Sequence, residues 1–114
     1  MTTKYKVILV PFPFDDLSSS KVRPAVCLTE PIGPDDHVVL AFITSHISDQ
    51  PLTTDLVIDS TDPDFVLTGL HVSSMLRLHR LMTVTTALIR RELGQLPSRH
   101  RVQVDNRLQK LFGL

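Results

Sequence analysis

Arg23, set directly before Pro24 and preceded by Ser18, Ser19 and Ser20, is the side chain of this sequence best suited to gripping a phosphate. The ring of Pro24 disfavours the helical region for the residue before it and removes a backbone donor, so Arg23 is expected in extended backbone at the first residue of a strand. From there its guanidinium projects as a planar, permanently charged fork that matches phosphate oxygens. A mobile serine loop beside a fixed cation is a phosphate-handling arrangement. The same guanidinium can instead close a strand end by pairing with Asp15 or Asp16, and the residues alone leave both readings open. Two further groups draw notice. Thr44 and Ser45 end an apolar run with two hydroxyls, which also suit the satisfaction of nearby backbone groups. Arg77 and His79 fall two apart in an extended segment, on one side of it, where they equally suit a plain surface pair.

Strands must position these groups. Residues 5–10 read as a buried strand, because Val7, Ile8, Leu9 and Val10 form an unbroken and mostly β-branched run that Pro11 and Pro13 end. Phe12 and Phe14 alternate across that boundary and are expected to pack inward. Residues 15–21 read as a polar loop and 23–29 as the second strand; after a turn marked by Pro31, Gly33, Pro34, Asp35 and Asp36, residues 38–43 make the third. Residues 55–58 read as a short strand and 62–69 as a turn-rich connection. A regular strand over 72–84 would carry Met75, Arg77, His79, Leu81 and Thr83 on one face. A helical turn at 86–89 and a strand at 92–96 precede a helix after Pro97, where Val104, Leu108, Leu111 and Phe112 keep helical spacing, Ser98 stands at the amino end and Gly113 suits the stop. That helix is expected on the sheet, its stripe also being able to extend a dimer interface. The fold class is mainly β with a C-terminal helix (α+β), a small barrel or sandwich.

Bulk properties narrow the function. The 114 residues make one domain, 1–114, and 42% hydrophobic against 21% charged residues is ordinary for a soluble protein. No apolar run reaches membrane-spanning length and the amino terminus lacks a secretory pattern, so a cytoplasmic protein without a membrane partner is expected. Cys27 is the one cysteine and lies in an apolar run, which excludes an intrachain disulfide and reads as a small buried hydrophobe. The five histidines are scattered and no paired cysteines occur, so no metal site is expected. Neither a glycine-rich phosphate loop nor a nucleophile elbow is present, and 5% aromatic residues supply a base-stacking platform poorly. The net charge of zero hides a split: residues 1–64 hold ten acids against four bases, whereas 77–114 hold eight bases against Glu92 and Asp105. A basic surface on a neutral molecule can meet a polyanion or an acidic protein.

Four blocks taken in order carry a family resemblance over nearly the whole chain. They are residues 10–26 (Val-Pro-Phe-Pro-Phe-Asp-Asp-Leu-Ser-Ser-Ser-Lys-Val-Arg-Pro-Ala-Val), 41–45 (Ala-Phe-Ile-Thr-Ser), 74–84 (Ser-Met-Leu-Arg-Leu-His-Arg-Leu-Met-Thr-Val) and 93–96 (Leu-Gly-Gln-Leu) ahead of a final helix. Together they resemble the PemK/MazF-type toxins of bacterial toxin-antitoxin systems. The resemblance implies a small SH3-like β-barrel, a homodimer, and an endoribonuclease that cleaves single-stranded RNA without a metal or other cofactor and is neutralised by a small cognate antitoxin. It implies active-site roles for Arg23 and Thr44, with Ser45 as a weaker phosphate donor. It also implies a catalytic Arg77 and, two residues on, a general base; His79 stands where some members carry an aspartate. Ser18, Ser19 and Ser20 resemble the loop that closes over the site and is displaced by the antitoxin, and together with Lys21, Ser45 and Arg80 they are expected on the RNA. In the implied reaction a 2'-hydroxyl attacks the adjacent phosphorus and leaves a 2',3'-cyclic phosphate and a 5'-hydroxyl. Tyr5 and Lys6 stand where Gly-Asp is common before the first strand. The alternative is a module of the same fold that binds RNA or antitoxin without turnover.

Overall fold

The computed structural model of the protein describes residues 2–13 and 20–114. Six strands and one helix follow along the chain: β1 (Lys6–Pro13), β2 (Ser20–Cys27), β3 (His37–Thr44), β4 (Asp55–Ile58), β5 (Ser74–Thr85), β6 (Arg91–Gln95) and α1 (Ser98–Phe112). The strands form one antiparallel sheet in the order β4-β5-β3-β2-β1-β6. It is curled into a half-barrel, as the expected fold class requires. The unbroken apolar run of β1 follows from burial on both faces: Val7 belongs to the core cluster that holds Val26, Leu76 and helical Val104, while its neighbour Ile8 belongs to a second cluster with Cys27, Val38 and Leu40.

Three expectations need correction. β1 does not end at Pro11 but runs to Pro13, with Pro11 opposite Val22 and Pro13 opposite Ser20. On its other side β1 pairs β6 only over residues 6–9, so beyond Leu9 it is an edge, where the missing N–H of a proline breaks no ladder. The extension gives Ser20, Lys21 and Val22 strand partners, so β2 starts three residues earlier than expected. β5 is not regular either: Phe42 pairs Arg77 while Ala41 pairs Leu81, so Leu78, His79 and Arg80 bulge from the ladder and the alternation expected through Thr83 is broken there. The packing expected of the Phe12 and Phe14 side chains, and the loop expected over 15–19, lie outside the described residues.

The segment that follows β4 meets the edge strand β6 along a short seam. A 3-10 turn at Phe65–Thr68, which follows β4, lies against β6 so closely that a Cβ on Gly69 would stand 2.1 Å from the Leu93 carbonyl oxygen, and one on Gly94 2.1 Å from that of Leu67. Helix α1 docks through buried Val104 and His100 and partly buried Leu108. Its first turn is pinned by Arg99, whose guanidinium lies 2.7 Å from both Asp62 and Asp64 carboxylates. Gly113, with φ of 69°, ends it as expected, but Phe112 is 60% exposed and leaves the predicted stripe at the helix's last residue. Tyr5 has φ of 71°, the left-handed conformation that glycine adopts most readily, and its hydroxyl donates to Asp105 at 2.8 Å. Among the described residues no helix is long and apolar enough to cross a membrane.

Candidate active site

Where β2, β3 and β5 run side by side, a cavity of about 200 Å³ opens, lined by Arg23, Phe42, Ile43, Thr44, His46, Arg77 and Arg80. Each cation arrives by a separate local cause. Arg23 stands opposite Val10 in the β1 ladder and one residue ahead of Pro24, whose missing N–H costs nothing because pairing with β3 starts only at Ala25. Arg77 pairs Phe42 at the start of the β5 bulge, and Arg80 leaves the bulge with its guanidinium 5.6 Å from the centre of the Phe42 ring, within cation-π range. Thr44 is the last residue of β3. Its Oγ1 accepts the backbone N–H of His46 at 3.1 Å, so the hydroxyl serves the strand end and still has its own hydrogen to donate. No carboxylate is among the described residues lining this cavity, and Arg23 is exposed within it. Three guanidiniums, a hydroxyl and an imidazole around one small cavity suit a phosphodiester.

The other expected residues take different places. Ser45 lines a second cavity, of about 270 Å³, that shares Arg23 and Ile43 with the first and adds apolar Leu70, Val72 and Leu93 as well as His71 and Arg91. Lys21 is exposed on β2 opposite Phe12. Ser20 is in β2, and Ser18 and Ser19 lie outside the described residues. His79 is not among the residues lining either cavity; its Nδ1 is 3.9 Å from Oδ1 of Asp55. Asp55, the first residue of β4, pairs Arg77 in the ladder and accepts from its Nε at 3.3 Å and from an Nη at 3.4 Å.

Sequence reasoning missed Asp55 and His46. Nothing in the spacing links residue 55 to residue 77, since they meet only through strand pairing. His46 carries a readable signal, an imidazole two residues beyond Thr44. Among the described residues no group of three or more His, Cys, Asp or Glu is gathered in a way that could hold a metal ion. Cys27 is buried, and desolvation first, then the charges of Glu30 and Glu92, push its thiol up to about 11.

A family model for the PemK-like, MazF-like toxin of type II toxin-antitoxin systems matches residues 3–112. No curated protein matches the chain in sequence. Among solved structures, the Mycobacterium tuberculosis toxin MazF-mt6 superposes with a TM-score of 0.71 at 20% identity, over 96% of this chain and 97% of that one. A MazE-MazF structure from Deinococcus radiodurans gives 0.75 at 16% identity, over 100% and 96%. A mycobacterial endoribonuclease in complex with its cognate antitoxin gives 0.70 at 13% identity, over 100% and 97%. At these identities the likeness is one of fold.

Proposed function

The chain belongs to the PemK-like, MazF-like toxins of type II toxin-antitoxin systems, and on that footing we propose that it is a metal-independent endoribonuclease. It cuts single-stranded RNA to a 2',3'-cyclic phosphate and a 5'-hydroxyl, acts as a cytoplasmic homodimer, and is neutralised by a cognate antitoxin. The observation that carries this reading is the gathering of Arg23, Thr44, Arg77 and Arg80, expected from three separate places in the sequence, around one cavity. The nuclease and the antitoxin complex among its structural neighbours support the partners.

The chemistry divides among these side chains. The 2'-hydroxyl gives up its proton as its oxygen bonds to phosphorus, and the departing 5'-oxygen takes one. Arg23, Arg77 and Arg80 hold the phosphate and the charge that builds on it, and Thr44 donates to one of its oxygens. Arginine keeps its protons, which leaves proton transfer to an imidazole. His46, in the cavity, takes the role that the resemblance assigned to position 79. Ser45 and Lys21 contact the neighbouring nucleotides.

The test is single-stranded RNA incubated with the purified protein in excess EDTA, with the ends of the products analysed. Cuts with 5'-hydroxyl ends, slowed at least a hundredfold by Arg23→Ala in a protein of unchanged melting temperature, are expected. Intact RNA, or equal cutting by the variant, would sink the nuclease reading. The placement of His79 against Asp55 rather than in the cavity favours, as the second reading, a module that binds RNA without turnover.

A further inference from the structure

Asp55 is a carboxylate with no side-chain exposure, an arrangement that costs several kcal/mol unless the charge is paired. Among the described residues, its hydrogen-bond donors come from two directions. Its Oδ2 accepts the backbone N–H of Leu52 at 2.8 Å, which closes the turn into β4, and its two oxygens receive the Nε–H and one Nη–H of Arg77. The imidazole of His79 faces the same carboxylate through Nδ1 at 3.9 Å. Arg77 itself is 29% exposed and lines the basic cavity. One edge of its guanidinium is therefore tied to a buried anion, while the residue lines the cavity where a phosphate would lie.

We propose that Asp55 is a positioning residue, which acts through Arg77 by fixing its guanidinium toward the phosphate in the basic cavity and which holds the His79 ring beside it. This rests on the nuclease reading above. A flexible arginine at the mouth of a bulge would have to be ordered by each substrate; one held at two points by a buried carboxylate is ordered beforehand, and that advantage is realised as charge builds in the transition state. The placement also gives the bulge of Leu78, His79 and Arg80 a use. Pairing of Asp55 with Arg77 sets the last regular rung before the bulge, so β4 fixes one cation while Arg80, the last residue of the bulge, rests on Phe42.

The test separates charge from fold, because Asp55→Asn keeps an oxygen for the Leu52 amide and loses only the charged hold on Arg77. With RNA as substrate, Asp55→Asn is expected to lower kcat about ten- to a hundredfold with KM within about twofold. Arg77→Lys, which leaves Asp55 in place but cannot make the two-point contact, is expected to do the same, and the double variant to be no slower than Arg77→Lys alone. If Asp55→Asn does not fold, parental kcat in Arg77→Lys overturns the proposal by itself, and loss of kcat at unchanged KM sustains it. Additive losses in the double variant also overturn it. Should the unaltered protein leave RNA intact, the nuclease reading fails separately. The same cycle is then read from the affinity for a 2'-deoxy oligonucleotide, where non-additive losses sustain the anchoring role and additive ones end it.

Discussion

The Thr44 hydroxyl is left with a hydrogen to donate because its oxygen, not its hydrogen, is engaged by the His46 amide. Thr44→Ser keeps that hydroxyl and is expected to cut RNA within a few-fold of the parental rate, whereas Thr44→Val keeps the shape and loses about a hundred- to a thousandfold in kcat, measured in single-turnover cleavage. Cys27 gives the opposite kind of expectation. With its thiol raised to about 11 by burial, it is expected to stay unmodified by a thiol reagent at pH 8 for as long as the protein is folded and to react fully in denaturant; prompt labelling of native protein would contradict its place in the core. At this scale the sequence was readable where chemistry is local. The Arg23-Pro24 pair fixes its own backbone, and Thr44 marks its own strand end. Asp55 was silent because its role comes from a neighbour 22 positions away, joined to it by pairing between β4 and β5.

The strands were legible for a related reason, and their limits were not. Apolar runs located β1, β2 and β3, but whether a proline ends a strand depends on whether the next strand is still alongside, which no local pattern records. The seam between the 3-10 turn and β6 was likewise unreadable, since it rests on two glycines whose partners are backbone. Gly94→Ala and Gly69→Ala must push that backbone apart, so each is expected to cost at least ~1–3 kcal/mol in urea unfolding, Gly69→Ala the more because its φ is also 72°. Gly113→Ala, at φ of 69° with nothing within 4 Å of the added methyl, is expected to cost only ~1 kcal/mol. Helix docking adds a pH dependence. Burial, followed by the nearby Arg99 charge, holds His100 below its ordinary value of 6.5 against smaller opposing effects of Asp64 and Asp62. The unfolded chain therefore binds the proton first, and stability is full above that ordinary value and falls as pH drops toward the depressed one. Melting temperature is expected to decline between pH 7 and pH 5, and His100→Phe to flatten that decline; an identical slope in the variant would remove His100 as the cause.

Across the whole molecule, folding converts a charge split along the chain into a sorting in space. Acids of the first half are drawn onto bases of the second, Asp55 onto Arg77 and both Asp62 and Asp64 onto Arg99, and Glu92 returns to Lys6. A chain of zero net charge thus presents a cavity lined by Arg23, Arg77 and Arg80 without a carboxylate among its described lining residues. The composition announced the split, but only the sheet order, which sets β2, β3 and β5 side by side, decides that three of the bases converge. Single-stranded RNA that neutralises three cations releases counterions in proportion, so log Kd for an uncleavable oligonucleotide is expected to rise with log salt at a slope of about 2. Arg80→Ala is expected to lower that slope by about 0.7 and to weaken binding alike for every sequence, as the loss of one phosphate contact should. If the slope in the unaltered protein were near zero, binding would not run through these arginines; if Arg80→Ala left it unchanged, the phosphate would be held by Arg23 and Arg77 alone.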